Sequence, residues 1–200
     1  PVTWLLDHAP VDGHWTLVHA THLDPAEVQG IASSGAVVAL CPSTEANLGD
    51  GLFPLAEFIA AGGRFGVGSD SHISVSVVEE LRWLEYGQRL NSGQRTVAAS
   101  QSEPRVADFL YAHAWRAGPT ATGCAHVPMA TDWLRLDGED PALCGLALDD
   151  LLSGWIFASQ RASAIREVWI DGECRVRDGR HVLHDEIARR FAQAQQLLWR

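Results

Sequence analysis

Three apolar runs without alternation stand out along the chain: Trp15 to His19 (WTLVH), Ala36 to Leu40 (AVVAL) and Arg64 to Gly68 (RFGVG). Unbroken runs of this length fit strands covered on both faces. Between the first two, Asp24-Pro25-Ala26-Glu27 supplies an N-cap aspartate, a proline at N1 and a glutamate at N3, and Ser33-Ser34-Gly35 supplies a stop, so a helix is predicted there. After the second run, Cys41 to Gly51 reads as a long polar loop, followed by a helix over Pro54 to Ala61 closed by Gly62-Gly63. After the third run, Val77, Val78, Leu81 and Leu84 mark the apolar face of another helix.

Three consecutive strand-helix units imply parallel strands with helices outside, either a doubly wound sheet or a slice of a (β/α) barrel. Polar residues collect just after each strand, where barrel active sites lie, so the barrel slice is the preferred α/β reading. Further on, a helix is expected from about Arg105 to Ala117, ending at Gly118-Pro119. The texture then changes. Asp132 to Asp137 and Glu167 to Val176 alternate as short strands with turns at Asp171-Gly172 and Asp178-Gly179, a small β layer closed by a C-terminal helix through Ile187, Phe191 and Leu198.

With 46% hydrophobic and 20% charged residues the 200-residue chain has the composition of a globular protein able to bury a sizeable core. Fifteen basic residues, all arginine, against twenty-five acidic ones give −10, which disfavours nucleic acid and anionic membrane as partners. Cys41, Cys124, Cys144 and Cys174 form no C-x-x-C pair and read as reduced, mostly buried thiols. No apolar run approaches a membrane span, and a cytoplasmic location is expected. The start at Pro1, directly before Trp4-Leu5-Leu6, suggests that sequence upstream is missing.

Asp70 ends the third strand among small neighbours, Gly66-Val67-Gly68-Ser69-Asp70-Ser71, placed to hold a metal or take a proton; alternatively, Ser69-Asp70-Ser71 caps the next helix. His19 ends the first strand in Val18-His19-Ala20-Thr21-His22. Residues three apart on a strand point to opposite sides, so one of His19 and His22 is expected to be structural. Glu45, Asn47 and Asp50 in the polar loop can contact a ligand, although the same residue types serve turns. His72 and the six remaining histidines read as surface or packing residues, and the eight tryptophans as core and interface. No phosphate-binding glycine loop, nucleophile elbow or H-E-x-x-H helix occurs.

The segments Leu17 to Leu23, Cys41-Pro42-Ser43-Thr44-Glu45-Ala46-Asn47-Leu48-Gly49-Asp50-Gly51 and Gly66 to His72 together resemble the amidohydrolase superfamily, most of all its deiminases acting on N-formimino-L-glutamate. The stretch Glu79 to Leu90 fits the same pattern, and the likeness continues weakly to the C-terminus. The resemblance implies the last three β/α units of a (β/α)₈ barrel over residues 1–122, a β-sandwich segment over 123–184 and a C-terminal helix over 185–200. It implies one Zn²⁺ per complete site, with Asp70 as metal ligand and general base and His19 as a proton-shuttling histidine at the end of barrel strand six; Glu45 and Asn47 are the candidate substrate contacts. The family's H-x-H pair and strand-five histidine have no counterpart, and its Gly-x-x-Ala-Asp turn is replaced within Gly123 to Trp133 by Pro128-Met129-Ala130-Thr131-Asp132. The implied partners are a small-molecule substrate and the missing N-terminal half of the barrel, with room for a homodimer. The implied reaction deiminates N-formimino-L-glutamate to N-formyl-L-glutamate and ammonia in histidine degradation. A nucleobase-type deaminase and a non-catalytic interaction fragment remain the alternatives.

Overall fold

Helix α1 (Val2–His8) opens the chain, an element with no counterpart in the reading of Trp4-Leu5-Leu6. The computed structural model describes residues 1–124, 126, 131–159 and 164–199; the departure at Pro128-Met129-Ala130 lies outside them. Strand β1 (Thr16–Val18) leads into α2 (Pro25–Ser34), whose capping box forms as expected: the Asp24 side chain accepts from Glu27 N–H, and Glu27 accepts from Asp24 N–H. Gly35 closes α2 at φ 76°, a left-handed position that suits glycine because it lacks a Cβ. The carboxylate of Glu27 also accepts from the Thr3 amide and hydroxyl, tying α1 to α2.

Strand β2 (Val37–Leu40) is followed by a helix where the sequence suggested loop: α3 (Pro42–Leu48) starts with proline at N1 and ends at left-handed Gly49. Then come α4 (Leu55–Ala60), β3 (Arg64–Val67) and α5 (Val77–Ser92). Strands β1, β2 and β3 lie in that order in one parallel sheet. Leu17, Val38 and Phe65 align across it on the helix-covered face and join Val28, Ile31, Phe58 and Leu81 in the main core. Val18, Ala39 and Gly66, one residue on, share the opposite face, which bounds a cavity of about 520 Å³ also lined by Trp115 and Trp155.

Helix α6 (Val106–Ala121) runs through Pro119 instead of ending there. A proline in the last turn removes one hydrogen bond of a helix already anchored by Phe109 and Leu110 in the core. Strand β4 (Trp133–Leu136), the single turn α7 (Leu151–Ser153) continuing into a π-helical turn (Gly154–Ala158), and strands β5 (Ile165–Ile170), β6 (Glu173–Arg177) and β7 (Arg180–His181) follow. The four strands form an antiparallel sheet. Asp171-Gly172 and Asp178-Gly179 both take positive φ, as tight hairpins require.

Two expectations fail. Helix α8 (His184–Leu198) does not close the β layer: it buries no residue, and Ile187, Phe191 and Leu198 are exposed. Its amphipathic pattern finds no apolar surface to cover among the described residues; Arg180 to Asp185 and Arg190 to Glu186 are its ion pairs. Nor are the cysteines mostly buried, since only Cys41 is, while Cys124 and Cys144 are exposed.

Candidate functional site

The carboxyl ends of the three parallel strands converge, and the ladder runs slightly past them: His19 N–H donates to Ala39 O and Gly68 N–H to Leu40 O. On strict alternation His19 would follow Leu17 onto the helix-covered face. The backbone instead turns left-handed at His19 (φ 66°) and Ala20 (φ 48°), which ends β1 and carries the imidazole to the rim of the sheet. Asp70, three residues past β3, is also left-handed at φ 48°. Non-glycine residues in this region are uncommon, and such conformations gather at functional sites.

The ring of His19 lies between two carboxylates. Its Nδ1 is 3.2 Å from Oε1 of Glu45, and its Nε2 is 3.4 Å from Oδ2 of Asp70. The environments differ: the Glu45 side chain is 6% exposed and that of Asp70 38% exposed. Glu45 Oε1 also accepts from the Cys41 amide at 2.9 Å, so the fourth helical residue of α3 caps its own helix start. Cys41, missed as a site residue, lies against this group; its Sγ, His19 and Glu45 offer donor atoms within 4.8 Å of one another.

Imidazole, thiolate and carboxylate are the ligand types zinc takes. Burial pushes the Cys41 thiol up to about 12, with Glu45, Asp70 and Glu80 adding to the effect, so at neutral pH it keeps its proton. With Oε1 of Glu45 engaged by the Cys41 amide and facing His19, and with Cys41 and Glu45 buried, these three side chains form a packed polar cluster. Asp70 is an accessible carboxylate at the strand rim, a donor type that zinc also takes.

A second tier braces α3. Ser43 donates from its amide and hydroxyl to buried Glu80, and Thr44 donates its hydroxyl to Ser69 O and accepts from His72 N–H. The Ser74 amide in turn donates to Nδ1 of His72. The turn that carries Asp70 is thus latched to the helix that carries Glu45. Sequence reading missed Ser43, Thr44 and Glu80; the available signal was a carboxylate at position 80 on the stripe of Val77 and Leu84. Asn47 and Asp50 are exposed, and among the described residues no hydrogen bond joins Asn47 to the cluster. His22 is exposed as well.

Burial raises the Glu80 carboxyl above its usual range, opposed by the two Ser43 hydrogen bonds. The folded chain therefore holds a proton at pH values where the unfolded chain has released it, and stability falls as pH rises from about 4.5 through the raised value. Glu80→Gln can still accept from the Ser43 amide and donate to its hydroxyl, so it should remove this decline. Urea midpoints between pH 4.5 and neutrality should then fall less for the variant than for the parent; parallel profiles would reject the assignment.

An exposed carboxylate beside an imidazole, at the rim of a parallel sheet, can move a proton between an attacking nucleophile and a leaving group. Comparison with known proteins gives the family. The family model described as "Amidohydrolase family" matches residues 4–103. A formimidoylglutamate deiminase of Pseudomonas aeruginosa is 50% identical over 197 residues, 96% of this chain and 43% of its own length. A 5-methylthioadenosine/S-adenosylhomocysteine deaminase of Pelotomaculum thermopropionicum is 27% identical over 181 residues, 89% of this chain and 40% of its own. An amidohydrolase from Brucella melitensis superposes with a TM-score of 0.92 at 42% identity, over 100% of this chain and 44% of that one. A zinc-bound adenosine deaminase from Xanthomonas campestris gives a TM-score of 0.77 at 22% identity, over 93% of this chain and 42% of its own, a likeness of fold alone. The chain spans less than half the length of the curated relatives it matches.

Proposed function

Because the chain belongs to the amidohydrolase family, we propose that its strand rim is one side of an active site that hydrolyses an amidine C–N bond, with N-formimino-L-glutamate as substrate. The observation that carries this reading is the approach of His19 Nε2 to Asp70 Oδ2, 3.4 Å, at the ends of β1 and β3. The 50% identity to a formimidoylglutamate deiminase supports the substrate choice. The chain supplies the last three β/α units of a (β/α)₈ barrel, and the face bearing Val18, Ala39 and Gly66 looks into the barrel interior, closed by strands of the N-terminal half. The antiparallel sheet is part of the small β-sandwich.

Asp70 of this chain would hold zinc together with donors from the other strands, and the ion would supply Lewis acidity toward water. Asp70 accepts the proton of the attacking water as its oxygen bonds to the formimino carbon. His19 receives that proton through Nε2 and passes it to the nitrogen that leaves. The C–N bond breaks, the carbonyl of the formyl group forms, and both hydrogens of the water end on ammonia: the amidine plus water gives the formamide plus ammonia.

The test is ammonia release by the full gene product from N-formimino-L-glutamate and, separately, from S-adenosylhomocysteine. Turnover of the first substrate is expected, lost on His19→Ala and kept on replacement of the exposed His22 by Ala. Turnover of the nucleoside alone would move the protein to the deaminase side of the family. Folded, inactive His22→Ala beside active His19→Ala would reverse the assignment of the two rings.

A further inference from the structure

We propose that Glu45 is a positioning residue for His19, holding the Nδ1 proton of its ring so that Nε2 is the nitrogen that works toward Asp70. The inference rests on the deiminase reading above and departs from the substrate contact that the sequence suggested for Glu45. A neutral imidazole carries one proton, and the hydrogen bond made by one nitrogen decides which atom keeps it. Here both nitrogens face carboxylates, and the two are not equivalent. Glu45 is buried and fixed, with Oε1 held by the Cys41 amide at 2.9 Å and its helix start latched through Ser43 to Glu80. Nδ1 lies in hydrogen-bonding geometry 3.2 Å from that oxygen and, on this proposal, is the nitrogen that keeps the proton. Asp70 is accessible, and its Oδ2 lies 3.4 Å from Nε2, longer than a settled charge-assisted bond of about 2.8 Å. Nε2 therefore keeps its lone pair toward Asp70 and is the nitrogen that takes up the proton Asp70 accepts from water. Glu45 meets the ring at Nδ1, while Asp70 faces Nε2, so in this arrangement it acts on the reaction through the ring.

The test compares Glu45→Ala and Glu45→Gln in the full gene product. Glutamine keeps an oxygen acceptor at the same reach; alanine removes it. For Glu45→Ala, kcat should fall about 10²-fold, the contribution of one well-placed proton-transfer group, with KM within about threefold. Glu45→Gln should recover at least about tenfold of that loss. Nitrogen-15 NMR of histidine-labelled protein, at a pH where the ring is neutral, should find His19 protonated at Nδ1 in the parent and in Glu45→Gln, and shifted toward Nε2 protonation in Glu45→Ala. A KM raised about tenfold at constant kcat would make Glu45 a substrate contact and overturn the proposal. Equal losses in Gln and Ala that follow their loss of folded protein would overturn it in favour of a purely structural role. If the parent does not deiminate N-formimino-L-glutamate, the reading of the reaction fails, and the tautomer of His19 in the three proteins still decides whether Glu45 holds the ring: an unchanged tautomer in Glu45→Ala would refute it.

Discussion

Asp70→Asn in the full gene product is expected to lower kcat by roughly 10²- to 10⁴-fold, the range spanned by positioned proton transfer. The substitution is informative because it spares the fold. Asparagine tolerates the left-handed backbone that position 70 requires at φ 48°, and it matches aspartate in shape. At 38% exposure the side chain contributes little packing. What is lost is a basic oxygen facing His19 Nε2 and, where metal is bound, a charged ligand. Steady-state rates, thermal unfolding and metal content measured on the same preparation would separate these effects. Turnover within a few-fold of the parent would remove Asp70 from the mechanism.

Phe65→Ala should have the largest effect on stability, about 3–5 kcal/mol, the usual range for deleting a buried ring whose site cannot collapse. Phe65 is 0% exposed in the middle of β3, aligned with Val38 across the sheet and stacked on His113 of α6 at 5.3 Å between ring centroids. Helices α2 and α4 fill the same core, so several elements would have to move to close the void. Because β3 leads straight to Asp70, the loss should also loosen the rim. A urea midpoint that hardly moves would show that this core repacks far more readily than its burial indicates.

Much of this architecture is readable from the chain because buried parallel strands advertise themselves. AVVAL and RFGVG lack alternation and form strands with mostly buried residues, whereas WTLVH, read the same way, leaves Val18 exposed; Asp24 and Glu27 spell out a helix start in four residues. The misreadings are equally physical. Pro42, Ser43, Asn47 and Gly49 are turn formers one by one, yet proline at N1, a glutamate reaching back to the Cys41 amide and a left-handed glycine together make a short helix. The left-handed turn at His19 and Ala20, which ends β1 and brings the imidazole to the rim, has no signal in the strand pattern. Cys41 and Glu80 enter the picture only once α3 is folded against β2 and α5, contacts between residues up to 37 positions apart. The stripe through Ile187 and Phe191 announces a covering surface that the described residues do not provide.

On the proposed reaction, the left-handed backbone at His19, Ala20 and Asp70 sets durability against turnover at the rim. Conformations of this kind cost on the order of 1–3 kcal/mol each at non-glycine residues. Glycine at position 20 would relieve part of that strain while loosening the segment that aims the imidazole. Selection on melting temperature alone would favour that change and erode turnover, a trade-off common where a site depends on strained geometry. Stabilising substitutions are better sought on the antiparallel sheet and on α8, which lie apart from the residues that aim the ring.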